Sequence, residues 1–531
     1  MKGLSLWLFV LLGCLNMLLT TGHIDTPDGV VMFNVTRALA RGSLSFPSLE
    51  RYIALAGPSA PAGADGEARQ YGKYGLGLSL AALPSYVVSR ALLPLTPASE
   101  REVFLTPPVR EGLTNRGATG AVEWNDGRSF RGLTYDTTPA RFEQAWSACW
   151  VGCTNAWIVA GIAALALLLL VELGFGVRAA GATALVIGVA SPLFHYATAF
   201  FAEPLTALLA LGALLQVVRF SRDGERRRLA LVGLLVGAIG LTKVALLLLA
   251  MPVLAALLVS GGRRSTPEAL RRLALVALGA VVPLGVAAAY NLVRFGTPFE
   301  TGYGEEANAW RTPMLEGLSG LLLSPGRGAV LYCPALLGGW LLLRRFQRRS
   351  LAVALVAGLS LPLLALLYAK WWLWEGVWCW GPRFLLPGVA LALLPLAEHF
   401  EGGGRPLARR TIDALLLASL VISLSSLLVN YADFYTWLKR YAESHPEVVA
   451  AHHRADYYGL LRWDWDVSPL LRYWSFPRRN YLLVAHAITH PGATLAIFVL
   501  AGAGFGIALA RFSRLVRAES SAPRGVNVFG R

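Results

Sequence analysis

Apolar residues run along this chain in long unbroken stretches, without the one-faced or alternating patterns of a water-soluble fold. A helix needs roughly 20 such residues to cross a hydrocarbon core of about 30 Å. Runs that approach this length are Leu4 to Thr21, Cys153 to Gly174, Ala179 to Phe200, Leu205 to Phe220, Leu229 to Ser260, Leu273 to Val293, Ala329 to Leu343, Leu351 to Tyr368, Phe384 to Ala397, Ile412 to Val429 and Ala493 to Ala510. The interval Leu229 to Ser260 is too long for one crossing at about 1.5 Å per residue. It is interrupted by Leu241-Thr-Lys243, which predicts two short helices folded as a hairpin.

Charge at the span ends predicts orientation, because cytoplasmic flanks are rich in Lys and Arg. Five arginines lie in Arg219 to Arg228, four in Arg263 to Arg272, four in Arg344 to Arg349, three in Arg405 to Arg410 and five after Ala510. Placed inside, they send the first helix outward, as a signal anchor. Lys2 and an apolar core also resemble a signal peptide, but no small-x-small cleavage site follows Leu19-Thr20-Thr21. Tyr74 to Pro94 is apolar enough to span, yet counting it would put every later Arg cluster outside. It is therefore read as an interfacial helix, which gives twelve crossings with both termini cytoplasmic. The expected fold is an all-α polytopic membrane protein with about 12 transmembrane helices and additional interfacial helices on its outer face.

Composition agrees. Hydrophobic residues make up 55% of the 531 positions and charged residues 15%, with mean hydropathy +0.52 and net charge +16. The outer loop Gly22 to Gly152 holds twelve basic and twelve acidic residues, and Asn430 to Pro491 seven and six, so the excess is cytoplasmic. Such a basic total signals topology and attraction to anionic lipid, and no nucleic-acid partner is expected. Of five cysteines only Cys149 and Cys153 are close enough to pair on the outer side; as small buried hydrophobes they need no pairing. No internal repeat is evident, which weighs against an inverted-repeat transporter.

Charged residues beside a bilayer are costly and tend to be functional. Asp28, just beyond the first span, can accept a proton from an acceptor hydroxyl; alternatively Asp25 or Asp28 merely caps the helix beginning near Gly29. Glu203, followed by Pro204 at the next outer turn, is either a second site carboxylate or a favourable charge at a helix N-terminus. Lys243, between the two short helices, can hold a phosphate or snorkel to the interface. Lys370 to Arg383 carries five tryptophans within ten residues, among them Trp378 and Trp380, suited to stacking on a sugar or to belt anchoring, and Arg383 can take a phosphate. His452-His453 is an isolated loop pair, and no His, Asp or Glu cluster has metal-ligand spacing, so neither a metal nor another cofactor is expected.

The order of these features resembles the GT-C superfamily of membrane glycosyltransferases, in particular the branch of protein O-mannosyltransferases and bacterial aminoarabinose transferases. The residues that carry the resemblance are Asp28 with Arg37-Ala-Leu-Ala-Arg41-Gly42 after it, Tyr71-Gly-Lys73-Tyr74-Gly75-Leu-Gly-Leu, Glu203-Pro204, Leu241-Thr-Lys243 and Gly381-Pro382-Arg383. It implies a GT-C-like module over 1–293, including the outer loop 22–152, and a variable module over 294–531 with outer loops 294–324, 369–383 and 430–491. It further implies inverting transfer from a polyprenyl-phosphate-linked sugar to a lipid or glycan acceptor at the non-cytoplasmic face of the plasma membrane. Asp28 would be the base, Glu203 the second acid, and Lys243, Arg383, Lys73 and Tyr74 donor-binding residues. Where the family carries Asp-Glu or Asp-Asp, this chain has Asp28-Gly29, which leaves Asp25 as a substitute base. The rivals are a transporter or flippase of lipid-linked glycans and an O-antigen-type ligase.

Overall fold

The computed structural model describes residues 2–20, 24, 26–48, 56–63, 66–95, 121–123, 129–131, 139–260, 265–304, 308–376, 378–402, 406–429, 431–450, 457–475 and 493–521. Helix dominates them, and strand is confined to five pieces of three to five residues. Among the described residues seven helices are long and apolar enough to cross a membrane: Gly77–Leu95, Trp146–Glu172, Glu203–Asp223, Thr266–Phe295, Leu351–Ala369, Arg383–Phe400 and Val499–Ala518. Shorter apolar helices, among them Gly3–Leu18 and Val177–Val189, pack between them. The chain is thus an all-helical membrane protein whose few strands form small accessory sheets. The helix Gly77–Leu95 is long and apolar like the other six, although most of it is not buried against the rest of the protein.

In chain order the elements that frame the site are α1 (Lys2–Leu18), α2 (Pro27–Leu39), the strands β1 (Ser45–Pro47), β2 (Ala56–Ala60) and β3 (Arg69–Gly72), α3 (Leu83–Leu92), α4 (Pro139–Gly152), α5 (Thr154–Glu172), α6 (Glu203–Asp223), α7 (Arg226–Thr242), α8 (Ala250–Val259), α9 (Thr266–Phe295) and α10 (Leu351–Ala369). The strands form one antiparallel sheet in the order β1-β3-β2. The predicted run Ala179 to Phe200 is not one continuous helix, since a helix ending at Val189 gives way to the short turn Leu193–Tyr196 and then to irregular chain. That irregular stretch is held by Asn155, a fully buried side chain that donates to the carbonyls of Ala199 at 2.6 Å and Phe201 at 2.9 Å.

The interval Leu229 to Ser260 divides at Lys243, whose extended backbone separates α7 from a short 3-10 turn leading into α8. Residues 233, 237 and 240 of α7 face 276, 280–283 and 284 of α9 in the same order, so α7 and α9 run parallel and touch directly, while α8, which links them in sequence, packs on α10 and α6. Small residues permit this approach, as at many helix contacts in lipid. A Cβ on Gly233 would collide with the carbonyl of Val276, and one on Gly279 with the carbonyl of Ala230. Gly233→Leu should therefore separate the pair and lower thermal stability in detergent by ~1–3 kcal/mol. Gly285→Leu on the same α9, where a new Cβ meets nothing within 4 Å, should be nearly silent.

The bundle has two chemically distinct ends. At one, Glu172 takes Arg219 at 2.6 Å and Arg222 at 3.4 Å, and buried Glu398 takes Arg345 at 2.8 Å and Arg349 at 3.5 Å. At the same end Arg272 donates to Ser260 O and lies over the ring of Phe220. Glu203 begins α6, the helix whose far end carries Arg219 and Arg222. At about 1.5 Å per residue that helix sets Glu203 some 30 Å from the arginine-bearing end.

Candidate active site

The site grows from five chain segments, around Asp28, Tyr74, Glu203, Lys243 and Arg383, that the bundle brings together at the end opposite Arg219 and Arg222. Thr26 caps α2, its Oγ1 accepting from Gly29 N at 3.0 Å, with Pro27 as the first helical residue. Asp28 is therefore not the cap. Its carboxylate sits in the first turn, where the helix dipole favours a negative charge, but its oxygens are spent on tertiary partners. Oδ1 accepts from the Tyr74 hydroxyl at 2.7 Å and Oδ2 lies 3.1 Å from Arg383 Nη1. Gly29 follows because the helix start presses on its neighbours: a Cβ there would lie 2.7 Å from Ile24 and 3.1 Å from the carbonyl of Phe200. That contact seats Asp28 beside the Phe200–Glu203 turn.

Glu203, 2% exposed, holds Lys243 Nζ at 2.7 Å and lies 3.3 Å from Arg383 Nε. Arg383 thus bridges Asp28 and Glu203, which are remote in sequence. The Arg383 Nε contact is an ion pair without hydrogen-bond alignment. Lys243 does not snorkel: its ammonium stays inside, over the rings of Phe384 at 4.6 Å and Tyr368 at 5.7 Å. Arg383 is flanked in turn by Phe201 at 4.7 Å and Phe384 at 4.9 Å. Low-dielectric walls of this kind strengthen each Coulomb interaction within them.

Tyr74 reaches Asp28 because its segment is clamped from outside. Arg294 donates to the carbonyls of Gly72 and, at 3.0 Å, Tyr74, lies over the ring of Tyr290 at 3.8 Å, and is oriented by Asn291 one turn earlier on α9. From the other side a Cβ on Gly75 would strike the carbonyl of Leu241, so the Tyr71 to Leu78 stretch lies directly against the break that presents Lys243. Burial and the Asp28 charge push the Tyr74 hydroxyl well above its ordinary range, so it stays protonated and donates. Burial likewise raises Tyr303 to about 12. Buried Lys73 places its ammonium 4.9 Å over the Tyr303 ring, adjoining the cluster.

Arg294 and Asn291 escaped the sequence reading, which placed Asn291 near the end of the Leu273 to Val293 run and Arg294 at the start of the outer loop 294–324. The available signal was an arginine at the span end opposite Arg271 and Arg272, with an Asn three residues earlier on the same helical face. Arg294→Gln should speed amide hydrogen exchange in residues 71–75 about tenfold or more, matching the loss of a charge-assisted hydrogen bond, with exchange across α6 unchanged.

Two expectations are corrected. Trp380 is 1% exposed, wedged against Tyr332 at 4.8 Å and His195 at 5.4 Å, with its carbonyl taken by the Tyr196 hydroxyl. Trp378 is stacked on Tyr435 at 4.9 Å. Both belong to an interior aromatic cluster with Phe434 and Tyr473, and neither presents a ring for a sugar or a bilayer belt. Asp25 and the pair His452-His453 lie outside the described residues. Among the described residues no group of three or more His, Cys, Asp or Glu is gathered as a metal site. Comparison of the sequence with protein-family models and with curated proteins returns no match.

Proposed function

We propose that the protein is an inverting glycosyltransferase of GT-C type. In this reading it moves a sugar from a polyprenyl-phosphate donor to a lipid or glycan acceptor at the non-cytoplasmic face of the plasma membrane. The observation that carries this reading is the convergence of Asp28, Tyr74, Glu203, Lys243 and Arg383 into one linked cluster. Asp28 takes the proton of the acceptor hydroxyl as that oxygen attacks the anomeric carbon. The bond from that carbon to the phosphate oxygen breaks, its electrons leaving on the polyprenyl phosphate. Arg383 and Lys243 stabilise the charge that gathers there, exchanging one carboxylate partner for the phosphate. Glu203 holds both cations in place, and Lys73 beside Tyr303 adds a positive charge near the leaving group.

The topology that goes with this reading has twelve crossings and cytoplasmic termini, with Gly77–Leu95 lying along the outer surface. What supports it is where that helix makes its contacts. Gly77 packs on Thr242 at the end of α7, while Ser85 meets Thr154 where α5 begins and Ser89 meets Trp146 of α4 just before it. The α7 and α5 ends they touch lie opposite the ends of those helices at Arg226 and at the Glu172–Arg219 pair. The concentration of the cluster at one end of the bundle also favours an enzyme over a flippase, which needs a polar route to both faces.

Purified protein in detergent, given a polyprenyl-phosphate sugar and a lipid acceptor extract, should release polyprenyl phosphate. A flippase has only one compartment there and makes no product. Release that occurs only with a diphosphate-linked donor would instead favour a ligase.

A further inference from the structure

The Arg37-Ala-Leu-Ala-Arg41 stretch has no part in the chemistry above, yet it is an electrostatically unusual place. Arg37 and Arg41 stand one turn apart at the end of α2, a spacing at which like charges repel. Arg90 of α3 joins them, and all three gather around a single carboxylate, Glu143 of α4. Arg90 Nη1 is paired with Glu143 directly and Arg41 Nη2 lies 3.8 Å away. Arg37 is the most enclosed of the three, with Nη1 donating to Asn34 Oδ1 at 3.3 Å and its guanidinium over the Phe33 ring. Burial, and after it the Arg41 charge, hold Arg37 below its ordinary range. Glu143 offsets one of the three positive charges, so among these four side chains two remain unmatched.

Next to this group α3 turns an apolar stripe outward. Its buried side is Tyr86 and Ser89, whereas Val87 is 58% and Val88 43% exposed, with Ala91 exposed in line and Leu95 74% exposed just beyond the helix. Cations beside an exposed apolar stripe complement an amphiphile whose phosphate adjoins its hydrocarbon.

We propose that Arg37, Arg41 and Arg90 form a binding site for the phosphate of an anionic phospholipid whose acyl chains lie along the Val87–Val88–Ala91 face. The phosphate draws Arg90 and Arg41 from Glu143 and relieves the repulsion between Arg37 and Arg41. Arginine suits this role because its planar donors match phosphate oxygens in pairs.

The test uses the full chain in neutral detergent and native mass spectrometry with phosphatidylglycerol, phosphatidylcholine and inorganic phosphate as probes. Phosphatidylglycerol should be retained in preference to phosphatidylcholine, and the double variant Arg41→Gln/Arg90→Gln should weaken its binding about tenfold or more. Glu143→Gln should change binding in the opposite direction, strengthening it by freeing Arg90, which a misfolded protein would not do. Undiminished phosphatidylglycerol binding by the double variant, or no gain in Glu143→Gln, overturns the proposal. Displacement of the lipid by millimolar inorganic phosphate would assign the cations to a free anion and overturn the lipid reading.

Discussion

Asp28→Asn should abolish sugar transfer, lowering turnover by ~10²–10⁴-fold, the range expected for removal of a positioned general base. The substitution is nearly isosteric. An asparagine oxygen can still accept the Tyr74 hydroxyl that Asp28 takes at 2.7 Å, so the Tyr74 segment keeps its anchor. Arg383 loses one carboxylate but keeps Glu203 at 3.3 Å, so its side chain stays in place. Folding and donor binding are therefore expected to survive while proton abstraction does not. The measurement is polyprenyl-phosphate release, with donor binding followed separately on the same preparation. Turnover equal to wild type would remove Asp28 from the role and move attention to Asp25.

Arg383→Gln is expected to have the largest effect on stability. Arg383 is 12% exposed and touches both carboxylates of the cluster, so its loss leaves Asp28 with only Tyr74 and removes one of the two cations on the 2% exposed Glu203. Breaking a buried ion pair by deleting one partner costs ~3–5 kcal/mol, because the surviving charge keeps its desolvation penalty without its compensation. Lys243, still 2.7 Å from Glu203, should hold the loss toward the lower end of that range. Adding Glu203→Gln to Arg383→Gln should recover part of it, since the uncompensated charge is then gone. A double-mutant cycle by thermal unfolding in detergent measures that coupling; strictly additive losses would show that the 3.3 Å contact contributes nothing.

Much of the architecture was legible because a bilayer imposes a blunt rule, that backbone polar groups must be satisfied within the segment that crosses. Long apolar runs therefore read as helices without knowledge of their neighbours. The split at Lys243 was legible for the same reason, since the stretch was too long for one helix and carried a charge at its middle. The Trp371 to Trp380 run was misread because its composition is that of an interface. Its rings instead fill the interior against Tyr332, Tyr435 and Gly320, and nothing in the linear sequence shows which partners are near. Asp28 was read either as a site residue or as a helix cap; the cap is Thr26, which that reading overlooked.

The sequence by itself determined an all-helical membrane protein, an end rich in arginine, and a short list of charged residues away from that end, since each follows from local hydropathy and local charge. Only the tertiary structure decided that Asp28 and Glu203 share Arg383, that Tyr74 donates to Asp28, and that Arg294 holds Tyr74 in place. Those contacts join residues 28, 74, 203, 243, 294 and 383, and they depend on glycines at 75 and 233 letting backbones meet at distances a single side-chain carbon would forbid. Close packing between distant segments is a property of the assembled bundle, and for that reason a hydropathy pattern, which records each segment alone, cannot contain it.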